Sequence, residues 1–276
     1  MEPQVDVSLV IACYNEEPVL VDNVREIMDV LDRTHYSYEI ILVDDGSTDD
    51  TVALIEEFAR QHPRVGYLLH PVNMGRGRTV ADGIRRARGR VVGFIDIDLQ
   101  TPARYLPSLI REIERGADVA IARRIYKLTP AVFGRWILSR GYMALSSLVL
   151  GLGRRDTETG CKVFRREAIL PILEEVRDPH WFWDTEIMAL AAYNGLDVVE
   201  VPTVFLREVS SRTSVKIFRD VFHYVVNLFR LRRRMGSALR AARSEDGPQA
   251  QYQRESEHSK RAFEPVGGGE TGEGSG

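Results

Sequence analysis

Two carboxylates end the apolar run Val91-Val92-Gly93-Phe94-Ile95-Asp96-Ile97-Asp98-Leu99-Gln100. A β-prone run of this kind predicts a buried strand. If its pleat continues through Asp98, the period of two places Asp96 and Asp98 on one face, at the edge where a parallel sheet opens to ligands. With the Gln100 amide they form an oxygen ligand set that suits Mg²⁺ or Mn²⁺. A solvated acidic turn explains the pair alone equally well, so the surrounding sequence decides between the two.

The surrounding sequence alternates β-type and helix-period segments, which predicts a doubly wound α/β sheet. The predicted strands are 7–13, 38–43, 65–69, 91–95 and 118–122, and the predicted helices are 19–32, 50–60, 78–88 and 105–115. Polar clusters follow the first three strands at 14–16, 44–47 and 73–77. Each cluster alone is also typical of a turn or a helix cap. Because the carboxyl ends of parallel strands share one edge, we expect these clusters to lie beside Asp96 and Asp98.

Composition limits the class of protein. An apolar fraction of 44% over 276 residues supports one large domain, and a net charge of -3 does not favour a nucleic-acid partner. Two cysteines, Cys13 and Cys161, give neither a disulfide framework nor a thiolate metal site, which favours a reducing, cytoplasmic setting. No apolar run approaches membrane-spanning length. The acidic, Gly-rich segment 244–276 is predicted to be disordered.

Five motifs, in order, resemble those of the inverting nucleotide-sugar glycosyltransferases of family 2, in particular the polyprenyl-phosphate (dolichyl-phosphate) mannosyl- and glucosyltransferases. They lie at 10–16, 43–47, 73–77, 96–100 and 156–162. The resemblance implies a single Rossmann-like, A-type glycosyltransferase domain over 1–214, with a mostly parallel central sheet. It also implies that the metal is held by Asp96, Asp98 and Gln100, and that the nucleotide-sugar donor is contacted by Ala12, Tyr14, Glu16, Val43, Asp45, Ile95, Asp96 and Ile97. The family usually has Pro at the position of Ala12, so this backbone turn departs from its pattern.

The same resemblance implies an acceptor that carries a phosphate. Arg124, Arg135 and Ser139 match positions that hold the acceptor phosphate, and Arg207 and Arg212 match a basic loop near the diphosphate. Arginine binds phosphate through a planar fork of donors, although solvated surface arginines are the simpler interpretation of any one of them. A phosphate is already ionised near neutral pH, since its second pKa is about 6, and needs no general base. A hydroxyl acceptor would need one, and the candidates are Asp184 and Glu186. Asp184 also fits a helix cap or a supporting role.

The last predicted element is an amphipathic, basic helix within 215–243, with an apolar face over 217–234 and six arginines between 229 and 243. This pattern is typical of a helix on an anionic lipid surface, and ordinary packing explains it equally well. The apolar segment 135–152 could likewise contact a lipid chain. We therefore expect a hexose (mannose or glucose) transferase using a lipid-phosphate acceptor, peripheral on the cytoplasmic face of a membrane. The alternatives are transfer to a hydroxyl of a glycolipid or glycan, and a non-catalytic sugar-nucleotide-binding scaffold.

Overall fold

The chain folds around a seven-stranded sheet, which a computed structural model describes for residues 5–126, 141, 144–151, 156–205 and 224–236. The strands are β1 (Val7–Cys13), β2 (Tyr38–Asp44), β3 (Val65–Leu69), β4 (Val91–Ile95), β5 (Val119–Tyr126), β6 (Cys161–Arg165) and β7 (Val198–Phe205). The helices are α1 (Leu20–Asp32), α2 (Thr51–Gln61), α3 (Arg76–Arg86), α4 (Leu106–Glu114), α5 (144–150), α6 (Arg166–Glu175) and α7 (Trp183–Tyr193). A 3₁₀ turn, Ala103–Tyr105, precedes α4.

The strand order is β3-β2-β1-β4-β6-β5-β7. The pairs β1–β2, β1–β4, β2–β3 and β5–β7 are parallel, whereas β6 runs antiparallel to both β4 and β5. The predicted mostly parallel α/β sheet is therefore confirmed. The antiparallel strand matters for the site, because its first residue, Cys161, lies at the same edge as the last residues of the parallel strands.

The central strands are apolar along almost their whole length because helices cover both faces of the sheet. In β4 all five residues are buried. Helix α1 packs on the sheet through Leu20, Val24, Ile27 and Leu31, which recur on one side of the helix and join the core. Strand β1 pairs with β4, and this pairing places the acidic turn that follows β4 near the end of β1.

The observed bounds of β1, β3 and β4 are those predicted from the sequence. Helix α3 begins at Arg76, two residues before the predicted start, so Arg76 and Gly77 lie in its first turn instead of in a loop. Strand β5 continues to Tyr126, past the predicted end at 122. These two differences place Arg76 and Arg124 on regular elements at the edge of the sheet.

The chain divides into two compact units, Met1–Phe229 and Arg230–Gly276. Residues 224–229 of the first unit and the described residues 230–236 of the second are helical. Among the residues that the structure describes, no helix is long and apolar enough to cross a membrane. The division into 1–214, 215–243 and 244–276 stays a prediction, and the tail 244–276 lies outside the described residues.

Candidate active site

The polar clusters meet at one edge of the sheet, as the alternation predicted. The cluster 14–16 is hydrogen-bonded to the cluster 44–47 and to the residue that follows it. Ser47 Oγ accepts from the Asn15 amide (2.9 Å), and Asn15 Oδ1 accepts from the Thr48 amide (2.8 Å). The predicted nucleotide residues Ala12 and Val43 are register partners on β1 and β2. Tyr14 is 46% exposed, which leaves its ring available to a ligand at this edge.

Asp45 lies in this group, but its carboxylate supports a loop. Its side chain is buried; Oδ1 accepts from the Met74 amide (2.7 Å) and Oδ2 from the Gly75 amide (3.0 Å). The His70 ring contacts Oδ1 as well, at 3.3 Å. Asp45 therefore joins the second motif to the third and fixes the start of α3. The prediction that it contacts the nucleotide stays a prediction.

The acidic pair lies on a turn. Strand β4 ends at Ile95, the Leu99 amide donates to the Asp96 carbonyl (3.1 Å), and Leu99 has a φ of 49°. The condition for placing both aspartates on one pleat is therefore not met, because the strand ends at Ile95 and Asp98 lies within the turn. Burial and, to a smaller extent, the charge of Asp96 raise the pKa of Asp98.

Neighbouring side chains fix this turn. Asn23 Nδ2 of α1 donates to the Ile97 carbonyl at 2.7 Å. The Gln100 side-chain amide donates to Asp98 Oδ2, also at 2.7 Å, so Gln100 stands beside the pair with its amide oxygen free of that bond. The predicted ligand set Asp96, Asp98 and Gln100 thus lies on one turn, and the bond from Asn23 to the Ile97 carbonyl fixes the backbone of that turn.

Asp96 is fixed from two sides. Arg76 Nε and Nη2 both donate to its Oδ1, at 3.0 and 2.5 Å. On the other side its Oδ2 faces Gly160, where an added Cβ would lie 1.8 Å from that oxygen. The Asp96 amide also donates to the Gly160 carbonyl at 2.8 Å. Only glycine fits at the start of β6, because any side chain there would displace the carboxylate.

Asp184 is held by two cations. It is buried at the start of α7, where Lys162 Nζ donates to Oδ1 (2.5 Å) and Arg76 Nη1 donates to Oδ2 (2.6 Å). Lys162 is fully buried in β6, and burial lowers its pKa against the opposing effect of Asp184. Burial also works against the charge of Arg76, but Asp184 and Asp96 outweigh it and raise its pKa. Both oxygens of Asp184 are therefore committed to ion pairs.

Glu186, the second candidate base, is buried and supports backbone. Its Oε2 accepts from the amides of Arg177 and Asp178, at 3.1 and 2.8 Å. These bonds fix the segment that precedes α7. Neither carboxylate proposed as a base is open to a substrate hydroxyl in this arrangement.

Arg124 and Asp156 form a two-pronged pair at the same edge. Arg124 Nε donates to Asp156 Oδ2 (2.8 Å) and Nη2 donates to Oδ1 (2.6 Å). Glu158 lies 3.9 Å from the same guanidinium and is 27% exposed. Burial raises the pKa of Glu158 to about 7, against the lowering effect of Arg124, and Asp156 and Asp184 add to the rise. Arg124 is thus oriented by one carboxylate with a second beside it.

Four predicted site residues, Arg135, Ser139, Arg207 and Arg212, lie outside the described residues. Four charged residues of the site received no role from the sequence: Arg76, Asp156, Glu158 and Lys162. Lys162 carried a usable signal, since a lysine inside an otherwise apolar strand indicates a buried ion pair. Arg76 carried none, because its motif reads as a glycine-rich loop.

The chemistry of the donor set fits a divalent cation. Burial and the charges of Asp98, Asp96 and Asp49 raise the pKa of Glu16 to about 7, so several carboxylates lie near one another here, and Arg76 is bonded to one of them, Asp96. In the described part of the chain no three His, Cys, Asp or Glu side chains already form a metal-holding group. A cation at Asp96 and Asp98 would therefore complete its coordination with substrate oxygens and water, as Mg²⁺ commonly does.

Comparisons with known proteins identify the family of this chain. Residues 8–172 match the family model "Glycosyl transferase family 2". The chain is 31% identical over 222 residues to glycosyltransferase AglD of Haloferax volcanii, covering 79% of this chain and 35% of that protein. It is 32% identical over 209 residues to dolichyl-phosphate beta-glucosyltransferase ALG5A of Trichomonas vaginalis, covering 71% and 64%. The match to the dolichol-phosphate mannosyltransferase of Pyrococcus furiosus is 29% identical and covers 82% and 63%. The chain thus spans about a third of the first relative and just under two thirds of the other two.

Among solved structures, glucosyl-3-phosphoglycerate synthase from Mycobacterium tuberculosis, with Mn²⁺, uridine diphosphate and phosphoglyceric acid, has a TM-score of 0.61. It is 20% identical, and the match covers 83% of this chain and 78% of that one. A mycobacterial protein of the same TM-score, 0.61, is also 20% identical and covers 81% and 74%. Likeness at this identity shows a shared fold.

Proposed function

This chain belongs to glycosyl transferase family 2, and we propose that it transfers a hexose, mannose or glucose, from a nucleoside-diphosphate sugar to a polyprenyl or dolichyl phosphate, with inversion. The names of two relatives, a dolichyl-phosphate beta-glucosyltransferase and a dolichol-phosphate mannosyltransferase, support this acceptor class. They differ in the sugar, so the hexose is proposed only as a class.

The observation that carries the choice of acceptor is the double ion pair of Asp184. Lys162 and Arg76 each hold one of its oxygens, and Glu186 is bonded to backbone amides. A sugar hydroxyl must lose its proton to a base during attack, and both candidates for that base are engaged. A lipid phosphate is largely ionised near neutral pH and attacks without one. The arrangement therefore favours the phosphate acceptor over the hydroxyl acceptor.

We assign the donor diphosphate to the edge between Asp96, Asp98 and Gln100 on one side and Tyr14 and Glu16 on the other. When bound there, Mg²⁺ or Mn²⁺ supplies Lewis-acid stabilisation of the negative charge that develops on the departing diphosphate. Asp96 and Asp98 would hold the cation, and the Gln100 amide oxygen would be its third protein ligand. Arg76 and Gly160 fix the orientation of the Asp96 carboxylate.

We assign the acceptor phosphate to Arg124, with Arg135 and Ser139 as partners and Arg207 and Arg212 on the donor side. Asp156 holds the Arg124 guanidinium in a fixed plane, which reduces the conformational entropy that phosphate binding must overcome.

A lipid acceptor requires contact with a membrane surface, and we propose peripheral binding at its cytoplasmic face. Leu148 of α5 is 82% exposed and Phe229 is 52% exposed, so each offers an apolar side chain to solvent. Sedimentation with anionic vesicles tests this part: Leu148→Asp should reduce the bound fraction, and unchanged binding would argue against a lipid contact at α5.

The reaction is tested with the purified chain, Mn²⁺ or Mg²⁺, a panel of nucleoside-diphosphate hexoses and polyprenyl phosphate, with the product identified by mass spectrometry. The control acceptor is a polyprenol of the same length that lacks the phosphate. We expect transfer to the phosphate only, and its loss in Asp98→Ala. Transfer to an alcohol acceptor that is abolished in Asp184→Asn or Glu186→Gln would support the hydroxyl alternative. Tight nucleotide-sugar binding without turnover of any donor would support the scaffold.

A further inference from the structure

Arg76 joins the two halves of the candidate site. Its Nη1 donates to Asp184, and its Nε and Nη2 both donate to Oδ1 of Asp96. The rings of Phe94 and Trp181 lie with their centroids 5.2 Å from its guanidinium carbon. An arginine so placed has a fixed position and points two of its donors at a carboxylate that we assign to the metal.

We propose that Arg76 is a positioning residue that serves as the internal counter-ion of Asp96 and thereby weakens the affinity of the free chain for a divalent cation. The inference rests on the proposed function, since it takes Asp96 and Asp98 as the metal ligands. It adds a role for a residue of α3 that contacts neither substrate nor cation in the assignment above.

The charges around Asp184 show that Arg76 is not needed there for neutralisation alone. Lys162 Nζ already donates to Asp184 Oδ1 at 2.5 Å, in a position without solvent. Arg76 adds a second cation to Asp184 through Nη1, and its other two nitrogens, Nε and Nη2, donate to Asp96. The surplus positive charge of the buried group is thus directed at Asp96, while Asp98 forms no ion pair with any residue that the structure describes.

The geometry makes the arginine and a metal ion compete. Both Arg76 bonds end on Oδ1, at 3.0 and 2.5 Å, and Oδ2 is packed against Gly160. A Mg²⁺ ion that takes Oδ1 at the usual distance of about 2.0–2.1 Å would stand a few ångströms from the guanidinium, where like charges repel. Metal binding at Asp96 must therefore replace one charge-assisted interaction and accept this repulsion.

A purely structural role for Arg76 predicts the opposite sign. If Arg76 only kept Asp96 in place, its removal would let the carboxylate move and would weaken cation binding. If Arg76 is a counter-ion, its removal frees Oδ1 and tightens cation binding. The sign of the change in metal affinity decides between the two.

The experiment is a Mn²⁺ titration of the nucleotide-free chain, in which the EPR signal of free Mn²⁺ reports binding and no turnover is needed. We expect Arg76→Gln to bind Mn²⁺ roughly tenfold more tightly than the natural chain, equivalent to about 1.4 kcal/mol. Arg76→Lys, whose single ammonium cannot reach both carboxylates, should fall between them. The matched control is Arg85→Gln on the same helix, because Arg85 pairs with Asp82 and Glu174 away from the site. It should leave the affinity unchanged.

Asp98→Ala separates this inference from the proposed function. If it binds Mn²⁺ as the natural chain does, the metal site itself is wrong and the inference falls with it. If it loses binding while Arg76→Gln binds no more tightly than the natural chain, the metal site stands and the counter-ion role is wrong. Should Arg76→Gln fail to show the cooperative melting of the natural chain, Arg76→Lys decides alone: affinity equal to or weaker than that of the natural chain overturns the proposal.

Discussion

Replacing Asp184 by asparagine should destabilise the fold, so the stability of this variant must be known before a loss of activity is assigned to catalysis. The substitution removes the negative charge that two buried cations share, at 2.5 Å from Lys162 Nζ and 2.6 Å from Arg76 Nη1. Lys162 has no solvent exposure and would keep only uncharged acceptors, the Thr159 carbonyl at 2.6 Å and the amide oxygen of the introduced asparagine. Breaking one partner of a buried pair costs about 3–5 kcal/mol. Because a domain of this size loses roughly 2–4 °C in Tm per kcal/mol, we expect Tm to fall by roughly 6–20 °C.

A double-mutant cycle in urea isolates the pair. Lys162→Met removes the buried ammonium and keeps most of the side-chain volume, so the double variant Asp184→Asn/Lys162→Met should be less destabilised than the sum of the single variants. We expect a coupling energy of about 2–3 kcal/mol. The matched control is Glu174→Gln, whose ion pair with Arg85 is exposed and should contribute less than about 0.5 kcal/mol.

The reasoning fails if Asp184→Asn unfolds within about 1 kcal/mol of the natural chain and the cycle shows no coupling. If such a stable variant also lost most of its turnover, and the acidic limb disappeared from the pH profile of the remaining activity, Asp184 would act as a base. The hydroxyl acceptor would then replace the phosphate acceptor as the favoured substrate.

Three further predictions follow from single contacts. Gly160→Ala should reduce Mn²⁺ binding and turnover at least about 100-fold, because the added Cβ would meet Asp96 Oδ2 at 1.8 Å; normal Mn²⁺ affinity in a folded variant would contradict this. Glu158→Gln should stabilise the fold by roughly 1–3 kcal/mol above pH 7 and have no effect below pH 4.5. The reason is that the pKa of Glu158 is raised from 4.5 to about 7 by folding, so the natural chain loses stability as pH rises through that range. Urea unfolding at a pH below 4.5 and at a pH above 7 tests the sign. Arg124→Gln should destabilise by about 3 kcal/mol and raise KM for the lipid phosphate, because it leaves the buried Asp156 unpaired; an unchanged KM for the lipid phosphate would remove Arg124 from the acceptor site.

The order of strands and helices through residue 122 could be predicted because it depends on local periodicity. Strand β6 could not, because its sequence, Cys-Lys-Val-Phe-Arg, has charged residues at two of five positions. It becomes a strand through pairing with β4, where Gly93 faces Val163 and Phe94 faces Lys162. Its lysine is tolerated there because a partner from α7 supplies the opposite charge. Tertiary pairing overrides local propensity in such a case.

The site shows the same division between local and distant causes. That Asp96 and Asp98 lie at the ligand-binding edge follows from the end of β4, and it was predicted. That Asp96 is held by Arg76 depends on α3 beginning two residues early, where Gly75, with a φ of 99°, packs against Pro179 and His180. This contact joins residues over a hundred positions apart and acts together with the bonds from Asp45, and no window of sequence around Arg76 contains either.

The third, fourth and fifth motifs are consequently one electrostatic unit. Arg76 comes from the third motif, Asp96 from the fourth and Lys162 from the fifth, and Asp184 of α7 completes the ion pairs. Because each buried charge depends on the next, a change at one position alters the orientation of the Asp96 carboxylate even when the changed residue is remote from it. This interdependence explains why motifs that are each weak alone are specific together, and it makes the Asp96 carboxylate, at the end of the chain of ion pairs, the position where any disturbance of the group should first appear as altered cation binding.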